Sequence, residues 1–150
     1  MIYTIIKIFL YIGIGFSIFS FLKPKNNCNT KSAEFTVLSA FLEAKNISAK
    51  YGEAIIEFVE GKIKIISSQS EKSYSVDFDI SAPLTSKRAC SNSYGVPSIK
   101  RSFRFSPRGL KDSSGTIYIK CGKDFLAFSV ISPTGGITSC YFDGKQWVER

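Results

Sequence analysis

The chain contains no histidine. That absence excludes Ser-His-Asp and Cys-His triads, histidine metal sites and the commonest general base. Its four cysteines, Cys28, Cys90, Cys121 and Cys140, include no close Cys-x-x-Cys pair. Without histidine, a zinc site would need all four thiolates at spacings that zinc sites do not use. Acid is scarce as well: Lys and Arg number 20 against 12 Asp and Glu, a net charge of +8. Residues 1–25 hold Lys7, Lys23 and Lys25 and no acid, so +3 belongs to this head and +5 to the remaining body. No phosphate-binding loop is present. Gly13-Ile14-Gly15 lies within an apolar run, and Gly135-Gly136 is followed by neither a helix pattern nor a lysine. Glu53, Glu57 and Glu60 end at a turn and read as a solvated face, not a catalytic carboxylate pair. No enzyme and no cofactor are expected.

What is present begins with Ile2–Leu22, a stretch of 21 residues with Lys7 as its lone charge. As a helix it would span about 30 Å, the hydrocarbon thickness of a bilayer. The run exceeds the usual core of a secretory signal, and Phe21-Leu22-Lys23-Pro24-Lys25 offers no small-x-small cleavage site. Residues 1–23 are therefore expected to form a single-pass membrane helix. Lys23, Lys25 and Lys31 after it favour a cytoplasmic position for the body by positive-inside counting. The even cysteine count argues instead for two disulfides in an oxidising space. The cysteines outweigh the lysines because long domains translocate despite flanking charge, which places the body in the periplasm or outside the cell. The pairing expected from the pattern of apolar runs is Cys121–Cys140, with Cys28–Cys90 by default.

Residues 24–52 read as a linker and an amphipathic helix. Pro24 would kink or start a helix. Over Ala33–Lys50, Phe35, Leu38, Leu42 and Ala49 mark one face, broadened by Val37, Phe41 and Ala44, and Gly52 is a plausible stop. After Gly52 the period drops to two. Strands are expected over Ala54–Val59 and Lys62–Ile66, across a Glu60-Gly61 turn, then over Ser73–Ile80, Ile99–Phe105, Thr116–Cys121, Phe125–Ile131 and Ile137–Phe142. Residues 81–98 form one long loop. The expectation is an α+β chain in which the amphipathic helix packs on an antiparallel, β-rich domain of residues 53–150.

Lys87–Lys111 contains Lys87, Arg88, Lys100, Arg101, Arg104, Arg108 and Lys111 and no acid, with Tyr94, Phe103 and Phe105 interleaved. This set is a candidate site for an anionic partner such as DNA or phospholipid headgroups. The plainer reading is that Lys100 and Arg104 form the wet side of a strand and discourage edge pairing.

The order of apolar helix, proline kink, amphipathic helix and small β domain resembles type IV pilin-like proteins. Tyr3-Thr4-Ile5-Ile6-Lys7 stands in the frame of the pilin start Phe-Thr-Leu-Ile-Glu, and Pro24 falls 21 residues after Tyr3. Phe103-Arg104-Phe105-Ser106-Pro107-Arg108-Gly109, Gly115–Ile119 and Val130-Ile131-Ser132-Pro133-Thr134-Gly135 resemble the C-terminal region of the GspH/FimT family of pseudopilins and minor pilins. The resemblance implies a filament-assembling subunit of a type II secretion or type IV pilus machine, with other pilin or pseudopilin subunits as partners. Tyr3, Lys7 and Pro24 then fall at assembly positions. Met1-Ile2 stands where the family carries a basic leader ending in glycine, and Lys7 replaces the family's glutamate. Gly135-Gly136-Ile137-Thr138 lacks the arginines of the DNA-binding branch, so nucleic acid is the lesser expectation.

Overall fold

The computed structural model describes residues 28–84, 89–90 and 99–149. The expected membrane span, with Tyr3, Lys7 and Pro24, lies outside these residues, as do Lys87 and Arg88. Among the described residues no helix is long and apolar enough to cross a membrane.

The body is α+β, with one helix and two antiparallel sheets. Helix α1 runs over Thr30–Tyr51, starting earlier than its apolar periodicity. The Asn29 side chain caps it, its Oδ1 accepting from the backbone N–H of Lys31 at 2.9 Å. Thr30, Lys31 and Ser32 are polar and add nothing to a hydrophobic pattern. At the other end Gly52 takes φ 90° and its N–H donates to the Ser48 carbonyl.

The helix is turned relative to the expected face. Its buried residues are Ala33, Val37, Ala40, Phe41, Ala44 and Ser48, while Phe35 and Leu42 are 74% and 58% exposed. The three alanines let the helix axis approach a sheet whose own bulk is aromatic. Phe41 then inserts among Phe58, Phe103 and Phe105, with ring centroids 5.4–6.2 Å apart. Volume complementarity, small on the helix and large on the sheet, overrode the larger apolar stripe.

Sheet A comprises β1 Ala54–Val59, β2 Lys62–Ser67, β3 Glu71–Ser75, β4 Ser102–Ser106 and β5 Gly109–Leu110, in the order β3-β2-β1-β4-β5. Register sets Ile56 opposite both Ile65 and Phe103, so one face is apolar, while Glu57 opposite Lys64 lies on the other. Sheet B comprises β6 Gly115–Cys121, β7 Asp124–Ile131, β8 Gly136–Phe142 and β9 Trp147–Glu149, in chain order. Its inner face, with Ile117, Ile119, Leu126, Phe128 and Val130, joins α1 and sheet A in one core. Its outer face carries a second cluster of Tyr118, Ala127 and Cys140, covered by Ala89 and Cys90.

The expected strand through Ile80 stops at Ser75. The chain then crosses from sheet A to sheet B, burying Phe78 and pairing Asp79 with Lys120 at the edge of β6. Ile99 likewise bridges to Thr116 of sheet B before β4 begins in sheet A. Apolar alternation persisted through the first crossing because Val76, Phe78 and Ile80 are turned toward the core on alternate residues.

All four cysteines are disulfide-bonded, but in a different pairing from the one expected: Cys28–Cys121 and Cys90–Cys140. The sheet register excludes Cys121–Cys140. Strand β7 separates β6 from β8. Cys121 also faces the main core with Ile117 and Ile119, whereas Cys140 sits opposite Ala127 in the outer cluster.

Candidate functional site

Three of the five described cations of the basic window, Lys100, Arg104 and Lys111, are met by acids from outside it. Arg104 projects from the outer face of β4 and its Nε lies 3.6 Å from Glu53. Lys111 donates to the same carboxylate at 2.8 Å. The hydrogen bond from Lys111, joined by the charges of Lys111 and Arg104, holds the Glu53 carboxyl below its ordinary value. Lys100 donates to the Ser113 carbonyl at 2.6 Å, lies 3.8 Å from Asp112 and covers the Phe103 ring. Arg101 and Arg108 are exposed. Glu53 precedes the window by more than thirty residues and Asp112 follows it, so an acid-free run in sequence is not an acid-free surface in space.

A second constellation joins two of the three C-terminal segments that carried the family resemblance. Gly109, with φ 120°, lies so close to the β7–β8 turn that a Cβ there would be 2.1 Å from the Pro133 carbonyl oxygen. The adjacent Leu110 N–H donates to that oxygen at 2.9 Å. Gly135 passes over the Phe105 ring, where a Cβ would sit 3.2 Å from an edge carbon. Lys45 of α1 donates to the Gly135 carbonyl at 3.2 Å, and Ser48 reaches the Ser106 carbonyl at 3.4 Å. The two glycine-ended segments therefore form one seam between the sheets, pinned from above by the C-terminal half of α1. Their residue types are those of close packing, and the Lys45 amine and Ser48 hydroxyl that enter the seam are bonded to its backbone carbonyls.

The third feature is Glu43 of α1, which accepts hydrogen bonds from Lys72 and Tyr74 of the edge strand β3. The bond from Lys72 and then that from Tyr74 hold its carboxyl below the ordinary value, and Tyr74 is correspondingly raised. Sequence reading missed this pair because its members are 29 and 31 residues apart and lie on elements of different period.

The fourth is the outward stripe of α1. Phe35 and Leu42 stand two turns apart on one side, with half-buried Leu38 between them and exposed Ala49 beyond. The spacing 35, 38, 42, 49 is that of a heptad seam. The polar residues Ser39 and Asn46 flank it on one side, and on the other Lys45 is turned away to Gly135. The sequence had marked these apolar positions as one stripe and assigned it to the core of its own domain; the structure packs Leu38 partly against that core and leaves Phe35, Leu42 and Ala49 outside.

Among the described residues no group of His, Cys, Asp or Glu could hold a metal ion. A polar cleft lies between the first turn of α1 and residues 75–78, lined by Asn29, Ser32, Thr36 and Asp77. It holds no nucleophile–base pair. Comparison with protein-family models, with curated proteins and with solved structures yields no match.

Proposed function

We propose that this chain is a pilin-like structural subunit, a pseudopilin or minor pilin of a type II secretion or type IV pilus assembly. In this reading Ile2–Leu22 anchors it in the inner membrane as a single pass, the body lies in the periplasm or the extracellular filament, and it performs no catalysis. Its partners are other pilin or pseudopilin subunits, which meet the helix, while the β domain presents further contacts. Within the membrane, Lys7 meets a carboxylate of another subunit, since a lysine cut off from water in a packed bundle needs a counter-charge.

The observation that carries the reading is the outward stripe of Phe35, Leu42 and Ala49 on α1, bordered by the half-buried Leu38. One side of this helix is committed to its own sheet, and the other keeps large apolar residues in water at helix-pairing spacing. The helix begins seven residues after the apolar head, so a stripe suited to pairing continues in sequence from a segment suited to a membrane. The seam of Gly109, Pro133 and Gly135 supports the reading too, because it gives two of the resembling segments a common structural purpose. The alternative of a membrane-anchored module for an anionic ligand such as DNA loses support from Glu53 and Asp112, which engage Lys111, Arg104 and Lys100.

Site-specific photo-crosslinking in the intact cell envelope tests the proposal. A photoreactive residue at Phe35 or Leu42 is expected to give adducts with pilin-like subunits, and one at Ser73 on the far face of sheet A is expected to give none. Absence of adducts from the helix, or equal labelling from Ser73, would sink the reading.

A further inference from the structure

Cys28 stands directly ahead of the helix cap Asn29, at the point where residues 1–27 enter the body. Its disulfide partner is Cys121, the last residue of β6 and 93 positions away. Residues 29–120, which include α1, the whole of sheet A and nearly all of β6, therefore lie inside a covalently closed loop. Cys90–Cys140 interlocks with it, one cysteine inside that loop and one beyond it.

We infer that the Cys28–Cys121 disulfide is a mechanical bypass: tension applied through residues 1–27 enters sheet B at Cys121 and does not pull on α1. The reason lies in how α1 is held. Among the described residues no backbone ladder joins it to either sheet. Its attachments include packing and side-chain bonds: Glu34 to Ser139, Lys45 to Gly135, Ser48 to Ser106, and Glu43 to Lys72 and Tyr74. A pull on its N-terminal end would break these one after another, starting with Glu34, with no step at which many must fail together. At Cys121 the load meets a different structure. The β6–β7 hairpin is paired from Gly115↔Val130 to Cys121↔Asp124, and β7 is paired in turn along β8. The head is thus tied to the hydrogen-bonded sheet, and the helix, with its outward stripe, keeps its place. That tension arises at all rests on the membrane-anchored reading above; the bypass itself follows from connectivity.

Optical-tweezer pulling on the detergent-solubilised full chain, with peptide tags for handles at both ends, tests this. In the oxidised wild type the extensible path is the 28 residues through Cys28 and the 29 after Cys121. At full extension these reach about 200 Å, against about 520 Å for the whole chain. The Cys28→Ser/Cys121→Ser variant keeps Cys90–Cys140, so its extensible path is the 90 residues through Cys90 and the 10 after Cys140. It is expected to show an added early event at lower force, in which α1 leaves the body, and roughly 1.75-fold greater final extension. If the serine pair does not fold, reductant added to oxidised wild type already held folded in the trap opens both disulfides and is expected to give the same early event with roughly 2.6-fold greater final extension. A wild type that extends to the full chain length without reductant overturns the inference. So does an opened disulfide whose first event needs as much force as the oxidised protein's. Either failure leaves the crosslinking result at Phe35 and Leu42 untouched, and absent crosslinks would leave the bypass standing.

Discussion

The two sheets solve burial differently. In sheet A, β1 alternates strictly: Ala54, Ile56 and Phe58 are buried against α1, and Ile55, Glu57 and Val59 face outward. In sheet B, residues Thr116–Ile119 of β6 and Leu126–Val130 of β7 are buried without interruption. Sheet A has one dry face and one wet face with Lys64 across from Glu57. Sheet B is dry on both, because Ala89 and Cys90, held by the disulfide to Cys140, lie over Tyr118 and Ala127. Even its polar outer residues are enclosed, and Thr116 and Ser129 satisfy one another at 2.8 Å. A strand buried on both sides therefore owes its pattern to a segment distant in sequence, whereas a strand buried on one side declares itself by alternation.

This contrast breaks most sharply under an introduced charge. Ala127→Asp places a carboxylate in the outer cluster of sheet B and is expected to cost about 3–5 kcal/mol, since Ala127 is fully buried there. Ser73→Asp, on the outer face of sheet A opposite Lys64, is expected to stay within about 0.5 kcal/mol of wild type. Denaturant unfolding of both variants checks the pair, and equal losses would mean that the outer face of sheet B is open. Next in size is the seam that couples the two sheets. Gly109→Ala must adopt φ 120° and clear the Pro133 carbonyl, so a loss of about 2–3 kcal/mol is expected. Because Gly109 belongs to sheet A and Pro133 to a turn of sheet B, amide exchange should accelerate in both sheets; acceleration confined to β4 and β5 would show that they are not coupled there.

The smallest effect belongs to the edge of sheet A, where Glu43 fastens β3 to α1. Glu43→Gln is expected to cost about 0.5–1.5 kcal/mol at neutral pH. Its carboxyl is depressed in the folded chain, so this contribution is complete above the ordinary value of 4.5 and disappears as pH falls through the lowered one. Tyr74 is raised, so the same contact contributes fully below 10 and weakens as pH climbs through the elevated value. Urea midpoints of wild type and variant should therefore converge in acid and differ near pH 7. A gap that persists well below pH 4 would assign the loss to packing.

Local patterns were legible where one physical cause acted over a few residues. Gly52 as helix stop, the Glu60-Gly61 hairpin and the alternation of β1 and β2 each follow from backbone freedom or two-residue periodicity. Strand β5, two residues long, and β9, whose Val148 and Glu149 are exposed, carry too little pattern to be read. The stripe of α1 was visible as apolar, but its destination was not. Periodicity says which residues share a side of a helix; it does not say which side the sheet can accept.

The sequence by itself determined the absence of histidine, the class of its elements and the pairing of strands joined by short turns, because those depend on composition and neighbours along the chain. Tertiary structure alone decided the rest. It paired Cys28 with Cys121 and Cys90 with Cys140, since the face on which a cysteine lies depends on its strand's register and neighbours. It gave Lys111 and Arg104 their shared Glu53, since charges interact through space and not along sequence. It sent Ala33, Ala40 and Ala44 inward and Phe35 and Leu42 out, because a sheet lined with Phe58, Phe103 and Phe105 has room for a helix only on its small side.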